Sequence, residues 1–266
     1  MRLPSTPRCV LTGAGGGLGR AIALNLARRG AHLLLSDIDE TGCAETAKLA
    51  LAAGATTART QRCDVAKIDD VLALERACDG DVDLVVNNAG VSSGGLIGEL
   101  PLEDWRWTLE IDLFGVIHGC HAFVPRLRKQ GHGNVLNVAS AAGLLAAPKM
   151  GAYNVAKAGV VALSETLRAE LGGTKIGVTV LCPTFFQTNI ANSGRFTHSK
   201  LRDMAVRLVD KGKSADDIAA AALRSIEHGE LYCVPMADGR WFWRLKRAAP
   251  GSYQALVGFI AKRVDI

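Results

Sequence analysis

The sequence predicts an α/β protein built on a doubly wound parallel sheet with helices on both faces. Short apolar runs alternate with longer amphipathic stretches along most of the chain, and a glycine-rich turn at residues 12–19 follows the first apolar run. Strict alternation of strands and helices is typical of parallel sheets, because each crossover between parallel strands needs a helix. Ligands of such sheets bind beyond the carboxyl ends of the strands, so we expect the functional site at that edge.

Each element is assigned from the period of its apolar residues, which is about 2 in strands and about 3.6 in helices. Strands are predicted over residues 9–11, 31–36, 58–63, 82–87, 133–139, 176–182 and 231–234. Helices are predicted over 17–29, 39–53, 67–78, 103–129, 151–172 and 214–228. Residues 184–212 show weak periodicity, and loops of this length in compact domains are usually functional, so this segment is predicted to be a lid over the substrate.

The length and composition favour a single domain. With 266 residues, 48% of them hydrophobic, the chain can bury a large core, and we expect residues 1–239 to form one domain that includes the lid, followed by an extension over 240–266. Seven cysteines without a CxxC pair argue against disulfides or zinc and indicate a reducing compartment. No leader and no long apolar run is present, so we expect a cytoplasmic location.

The net charge of +5 lies in the extension. Residues 240–266 contain six Lys or Arg and one Asp, which alone gives +5, so the rest of the chain is balanced and nucleic-acid binding is not indicated. Aromatic residues are interleaved with these bases, a mixture that suits a peripheral membrane contact or a protein contact, as a subunit interface or pocket cover. We favour protein, because Pro250 and Gly251 interrupt any long amphipathic helix.

The glycine-rich turn predicts a pyrophosphate site. Gly13, Gly17, Leu18 and Gly19 lie where the first strand passes into the first helix, and the missing Cβ atoms let a phosphate approach backbone amides and the positive helix end. The spacing is GxxxGxG rather than GxGxxG, and the ordinary alternative is a tight turn.

Asp37 predicts which dinucleotide is bound. It ends the second predicted strand, twenty residues after Gly17, where a carboxylate can accept hydrogen bonds from an adenosine ribose. The same carboxylate repels a 2′-phosphate, and neither Ile38 nor Gly16 supplies a compensating base. We therefore expect NAD rather than NADP as the cofactor. The alternative role for Asp37 is the N-cap of the helix that begins near Asp39.

Tyr153, Lys157 and Ser140 form a candidate catalytic set for alcohol oxidation or ketone reduction. Tyr153 and Lys157 lie four residues apart on one helix face, where an ammonium group favours the ionised phenol. The pKa of a free tyrosine is about 10 and must fall for it to act as a base near neutrality. Ser140 can hydrogen-bond the substrate oxygen and hold the reacting carbon in place. Each residue alone could be ordinary, so the prediction depends on their coincidence with the cofactor motifs.

Together these motifs resemble the short-chain dehydrogenase/reductase family over almost all of residues 8–235. The resemblance implies a Rossmann-type fold, with Lys157 also binding the nicotinamide ribose. It places the adenine at Asp64 and Val65, the cofactor ribose along Asn88, Ala89 and Gly90, and the nicotinamide carboxamide at Thr188 and the main chain near Phe186. It further implies a homodimer or homotetramer paired through the helices at 103–129 and 151–172.

Asp112 departs from the family pattern. The family commonly has an asparagine here, whose backbone bulge holds a water linked to the lysine. Because that role depends on main-chain geometry, we expect Asp112 to support the proton relay, with its added charge acting on Lys157.

The predicted pocket favours an apolar secondary alcohol or ketone. Its segments, 91–96, 141–150 and the lid, contain several leucines and phenylalanines and few charged anchors. Two alternatives stay open at this point. One is a 3-oxoacyl reductase, which usually works with the NADPH that Asp37 disfavours. The other is a dinucleotide-binding sensor or scaffold without turnover, against which the intact Ser140, Tyr153 and Lys157 argue.

Overall fold

The central feature of the computed structural model, which describes residues 3–263, is a seven-stranded sheet in which every neighbouring pair of strands is parallel. The strands are β1 Arg8–Thr12, β2 His32–Asp37, β3 Thr57–Arg62, β4 Leu84–Asn87, β5 Ser93–Gly94, β6 His132–Val138, β7 Lys175–Leu181, β8 Arg195–Phe196 and β9 Tyr232–Cys233. The sheet has the order β3-β2-β1-β4-β6-β7-β9, while β5 and β8 form a separate two-stranded ribbon.

Helices cover both faces of this sheet. They are α1 Gly17–Ala27, α2 Glu40–Ala52, α3 Ile68–Arg76, α4 Leu102–Leu109, α5 Gly115–Gln130, α6 Ala141–Leu145, α7 Gly151–Glu170, α8 Ser199–Asp210, α9 Ala215–Glu227, α10 Ala237–Ala248 and α11 Pro250–Arg263. A π-helical turn over Glu110–Phe114 joins α4 to α5. The predicted fold class, a single-domain, doubly wound Rossmann-type α/β fold, is confirmed.

Two apolar layers form because successive side chains of each strand point to opposite faces. In β1, Leu11 belongs to the layer that contains Ile22 of α1 and Ile218 of α9. Val10, its neighbour, belongs to the layer that contains Phe123 of α5. The strand order reverses between β1 and β4, so the crevice expected for a dinucleotide opens between the turns that follow these two strands.

The structure adds elements that the apolar period did not indicate. The lid, residues 184–212, contains β8 and α8, and β8 pairs with β5 next to β4. The helix α6 follows Ser140, and the extension at 240–266 is largely helical. The predicted interruption near Pro250 is present, because Ala249 is non-helical between α10 and α11.

The extension packs on the body of the same chain. The ring of Trp243 lies 4.9 Å from that of Tyr232, and the Arg240 guanidinium donates to the carbonyl oxygens of Val234 and Pro235. Trp241 is exposed. Across residues 3–263, none of the helices is both long enough and apolar enough to cross a membrane.

Candidate active site

The turn between β1 and α1 can be formed only by glycine at several positions. Gly13 and Gly17 have φ values of +67° and +50°, which side-chain-bearing residues rarely adopt. A Cβ atom at Gly19 would lie 2.0 Å from the carbonyl oxygen of Gly13, and one at Gly13 would lie 2.6 Å from the Cα atom of Ala89. The glycines therefore bring the turn close to both α1 and the segment after β4.

The N-terminus of α1 is suited to an anion. Its N-cap, Gly16, makes no side-chain cap hydrogen bond, and no acidic residue lies in the first turn. A Cβ atom at Gly16 would meet no atom within 4 Å, so the space in front of the turn is open. Backbone amides at a helix N-terminus, with the positive end of the helix dipole, are a ready-made phosphate site. The turn thus fits a pyrophosphate.

The segment after β4 holds the turn in place. The side-chain amide of Asn88 donates to the carbonyl oxygens of Thr12, at 3.0 Å, and Gly13, at 2.9 Å. The Thr12 hydroxyl oxygen accepts from the backbone amides of Asn88 and Ala89 at 3.1 and 3.2 Å. The Asn88 side-chain nitrogen therefore binds the turn. Thr12, the first residue of the glycine-rich turn, was not predicted as a site residue, but its hydroxyl helps to hold the site together.

Asp37 lies at the carboxyl end of β2, beside the turn. Its carboxylate accepts from the amide of Gly15 at 2.7 Å and from that of Asp39 at 3.0 Å. The alternative role of helix N-cap is wrong for Asp37, because α2 begins at Glu40 and its N-cap is Asp39, which accepts from the amide of Gly42. The carboxylate is only half-buried, so it can also accept from a ribose hydroxyl.

Arg20 is a member of this region that the sequence reading missed. Its guanidinium donates to the Gly15 carbonyl at 2.8 Å and to the Glu45 carboxylate at 2.7 Å, and its Nε donates to the Thr46 hydroxyl at 2.9 Å. It ties the turn to α2. The sequence signal for Arg20 was a basic residue directly after Gly19, the last glycine of the turn. In the structure, the Glu45 carboxylate neutralises the charge of Arg20.

Asp64 and Val65 follow β3 at the same edge of the sheet. The Asp64 carboxylate accepts from the amide of Ala66 at 3.1 Å, and Asp64 also ion-pairs with Lys67 at 3.8 Å. Val65 is buried against Gly115, where a Cβ atom would lie 2.7 Å from Val65 Cγ2. Their contact with an adenine stays a prediction.

Ser140 and Tyr153 are brought together by β6 and α7. Ser140 is the N-cap of α6, and its hydroxyl oxygen accepts from the amide of Ala142 at 3.1 Å. Tyr153 lies in the first turn of α7, and its hydroxyl hydrogen-bonds with the Ser140 side chain. The serine and the phenol can therefore share one substrate oxygen.

Lys157 lies one turn further along α7 and is buried with Asp112. Its ammonium lies 3.4 Å from Asp112 Oδ2, donates to the carbonyl of Val138 at 3.2 Å, and lies 5.6 Å from the centroid of the Tyr153 ring. The side chains of Lys157 and Asp112 are 3% and 0% exposed. Asp112 Oδ1 accepts from the amide of Val91 at 2.7 Å.

The π-helical turn places Asp112 in this position. The family bulge expected at this point is present, but here the aspartate side chain itself, rather than only the main chain, meets the lysine. Gly90 makes room for the pair, because a Cβ atom there would lie 3.0 Å from Asp112 Oδ1 and 3.3 Å from Lys157 Nζ. The segment 88–90 thereby connects the glycine turn to the candidate catalytic residues.

Burial and charge act together on the phenol. Burial raises the pKa of Tyr153 well above its ordinary value, the negative charge of Asp112 raises it further, and the Ser140 hydrogen bond opposes the shift. The lowering of the phenol pKa that the sequence predicts beside Lys157 is therefore not found in this structure. Burial also raises the pKa of the Asp112 carboxyl, while the nearby Lys157 charge and the Val91 amide lower it. The Tyr153 phenol and the Asp112 carboxyl therefore influence each other's ionisation.

The lid lies across the glycine turn. A Cβ atom at Gly17 would lie 2.9 Å from the Thr188 hydroxyl oxygen, so Thr188 stands directly over the turn. Phe186 packs on the apolar layer of α1 and α9, and the next residue, Gln187, donates its amide to the Lys213 carbonyl.

Arg195 fastens the lid to the body. It forms an ion pair with Asp104 at 2.9 Å and stacks over the ring of Trp107 at 4.1 Å. Its strand, β8, pairs with β5 through the register of Ser93 with Arg195.

The geometry agrees with the family model that the sequence matches. Residues 8–198 match the model described as short chain dehydrogenase, and the chain belongs to this family. It is therefore an oxidoreductase of the short-chain dehydrogenase/reductase type, a family that works with a nicotinamide cofactor.

Two known proteins are similar in sequence over most of this chain. The chain is 34% identical to SadH, named as an oxidoreductase, of Mycobacterium tuberculosis, over 93% of this chain and 92% of the relative. It is 35% identical to a D-threitol dehydrogenase of Mycolicibacterium smegmatis, over 80% of this chain and 83% of that protein.

Solved structures that contain NAD or NADPH are similar to this structure. A short-chain dehydrogenase/reductase from Burkholderia phymatum in complex with NAD has a TM-score of 0.85 and 35% identity, covering 91% of this chain and 93% of its own. A short-chain dehydrogenase from Sphingobium yanoikuyae in complex with NADPH has a TM-score of 0.78 and 25% identity, covering 95% of each chain.

Proposed function

We propose that the protein transfers a hydride between NAD(H) and an apolar secondary alcohol or ketone, with Tyr153 as the general acid/base. The observation that carries the proposal is the contact of the Tyr153 hydroxyl with Ser140, one helical turn from the buried ammonium of Lys157. Segment 88–90 links this set to a glycine turn that fits a pyrophosphate. This arrangement suits hydride and proton transfer to or from one carbinol group.

The proposed mechanism assigns one task to each side chain. In oxidation, the Tyr153 phenolate accepts the hydroxyl proton, and Ser140 donates a hydrogen bond to the substrate oxygen. Lys157 would stabilise the phenolate by its charge and would bind the nicotinamide ribose, while Asp112 fixes the position of Lys157. When bound, the nicotinamide ring supplies the hydride acceptor, or the donor in the reverse direction.

We propose NAD rather than NADP, and Asp37 supports this choice. Its half-buried carboxylate lies beside the glycine turn, and two bases nearby have acidic partners: Arg20 is paired with Glu45, and Arg62, opposite Asp37 in the β2–β3 register, lies 3.4 Å from Asp70. Leu18 and Gly19 would place their amides toward the pyrophosphate, with Thr188 and the main chain of Phe186 at the carboxamide. Adenine would lie at Asp64 and Val65.

An absorbance assay tests the proposal. The purified protein is mixed with NAD, or in parallel with NADP, and with cyclohexanol, 2-octanol, a 3-hydroxysteroid and D-threitol, and NADH formation is followed. We expect turnover of the apolar alcohols with NAD, lowered by about 10³-fold or more in Tyr153→Phe. NAD binding, measured by fluorescence titration, should stay within about twofold in the variant, because the phenol does not hold the pyrophosphate.

The same assay separates the alternatives. A sensor or scaffold would bind NAD and give no turnover with any alcohol. A 3-oxoacyl reductase would reduce an acetoacetyl thioester with NADPH faster than it oxidises any alcohol with NAD. A preference for D-threitol would keep the reaction but reject the apolar substrate class.

We further propose a cytoplasmic homodimer or homotetramer. Phe114, next to α5, and Val155, on α7, are large apolar residues that are 43% and 50% exposed, which favours burial of these helices against a second copy. All seven cysteines are free, as suits a reducing compartment. Light scattering coupled to size exclusion measures the oligomeric state.

A further inference from the structure

The short helix α6 needs support from outside itself. It has five residues, begins directly after Ser140 and ends at Leu145, and its C-cap, Ala146, has a φ of +57°. A helix this short is unstable alone, because nucleation fixes several residues for few hydrogen bonds. Since Ser140 is its N-cap and residues 141–150 are a predicted wall of the pocket, whatever holds α6 also shapes the proposed catalytic site.

One side of α6 rests on α7. A Cβ atom at Gly143 would lie 2.5 Å from the carbonyl carbon and oxygen of Lys157, so the two backbones are in direct contact. The amide of Ala141 donates to the carbonyl of Pro183 at 2.8 Å. These contacts fix the beginning and middle of α6 and leave its final carbonyl groups to be satisfied elsewhere.

The extension supplies those partners. The ammonium of Lys246, on α10, donates to the carbonyl of Leu144 at 2.7 Å, and the hydroxyl of Tyr253, on α11, donates to the carbonyl of Leu145 at 2.7 Å. Tyr253 is buried, at 3% exposure. Carbonyl groups at a helix C-terminus lack intrahelical partners, and a cation there also complements the helix dipole.

We propose that Lys246 and Tyr253 are positioning residues for the reaction. By binding the last two carbonyl groups of α6, they hold Ser140 and the pocket wall at 141–150 in the arrangement that accepts the alcohol. This role lies outside the matched family model, which ends at residue 198. It deepens the proposed function and depends on it for its effect on catalysis, whereas the clamp on α6 can be measured without turnover.

Hydrogen exchange tests the clamp directly. In Tyr253→Phe and Lys246→Met we expect amides within residues 141–150 to exchange at least about threefold faster than in the wild type, because this segment opens more often. Peptides from β6 should be unchanged. Matched controls are Gln254→Ala, at an exposed position next to Tyr253, and Lys262→Met, at an exposed position of α11. Both controls should behave as the wild type.

Steady-state kinetics test the positioning role. With NAD and 2-octanol, we expect both variants to raise the KM for the alcohol about fivefold and to leave the KM for NAD within about twofold. A KM does not change when only the folded fraction falls, so a merely structural role would leave both constants unchanged. The controls should keep the wild-type values.

Each outcome has a distinct meaning. Unchanged exchange at 141–150 overturns the clamp, whatever the activity. Faster exchange that spreads to β6, or faster exchange with an unchanged KM for 2-octanol, overturns the positioning role. If the wild type turns over none of the alcohols, the proposed function fails, and the exchange experiment still decides whether the extension holds α6.

Discussion

At the scale of single residues, Asp112 sets the electrostatics of the site. A fully buried carboxylate 3.4 Å from a lysine ammonium costs desolvation free energy that the ion pair and the Val91 amide must offset. Its charge also acts on the phenol, because it raises the pKa of Tyr153. An asparagine at this position would carry no such charge, so the aspartate makes the phenol a weaker acid.

Removing the charge should change the pH dependence of the reaction. In Asp112→Asn the pKa of Tyr153 falls, so the phenolate forms at lower pH and the rise of the oxidation rate moves down by about one pH unit, or about 1.4 kcal/mol. The measurement is kcat/KM for 2-octanol between pH 6 and 10.5. Wild-type rates and an unchanged profile in both Asp112→Asn and Asp112→Ala would remove Asp112 from the proton relay.

At the scale of elements, two glycines of the turn from β1 to α1 are needed for different reasons, one for packing and the other for binding. Gly19 has no room for a side chain, because its Cβ atom would meet a backbone carbonyl oxygen at 2.0 Å, whereas Gly16 faces open space. Both belong to the same glycine cluster, so sequence alone does not distinguish them.

Alanine at these two positions should therefore give opposite results. Gly19→Ala forces the backbone apart, at a cost of roughly 1–3 kcal/mol, and should lower the melting temperature by about 3–10 °C. Gly16→Ala should leave the melting temperature within about 1 °C but weaken NAD binding, because its methyl group would occupy the phosphate space. Thermal unfolding and NAD titration measure the two effects, and equal melting temperatures for both variants would contradict the assignment.

The lid provides a second element-scale prediction. Arg195 connects it to α4 through an ion pair with Asp104 and a stack on Trp107. Arg195→Met should loosen the closed lid, so the KM for the alcohol should rise about threefold while kcat changes by less than about twofold. Arg202→Met is the control, because Arg202 pairs only with its neighbour Asp203 at 3.8 Å among the ion pairs seen in residues 3–263. Equal KM values for the two variants would show that Arg195 does not hold the lid closed.

At the scale of the whole molecule, the sequence predicted the features that depend on the period of apolar residues or on a short spacing between two residues. Most strands of the main sheet follow from apolar runs, although β3 at the sheet edge is largely polar and exposed, and Tyr153 with Lys157 follows from a spacing of one helical turn. The contacts of Lys246 with Leu144 and of Arg195 with Trp107 join positions 102 and 88 residues apart, which no local pattern encodes. The partners of Asp112 likewise became visible only in three dimensions.

Several basic residues of the extension make contacts with the body that the sequence did not predict. Lys246 and Arg240 bind carbonyl groups of the body, and Arg247 lies 5.5 Å from the ring of Trp243, which itself contacts Tyr232. Arg240, Arg244, Arg247 and Lys262 are nevertheless exposed, as are Trp241, Phe259 and Ile260, at 57%, 53% and 45% exposure. The contacts of Lys246, Arg240 and Trp243 with the body are those of a protein contact, and we favour that interpretation over a membrane contact.

Vesicle co-sedimentation should accordingly show no specific attachment. With vesicles of phosphatidylcholine and phosphatidylserine at low salt, we expect the wild type to pellet no more than in their absence, and a double variant, Trp241→Ser with Ile260→Ser, to behave identically. Membrane attachment through this face would instead need both the exposed rings and the bases, since each base near an anionic surface contributes about 1 kcal/mol. Pelleting that salt weakens and the double variant abolishes would therefore establish the membrane contact and reject the protein contact.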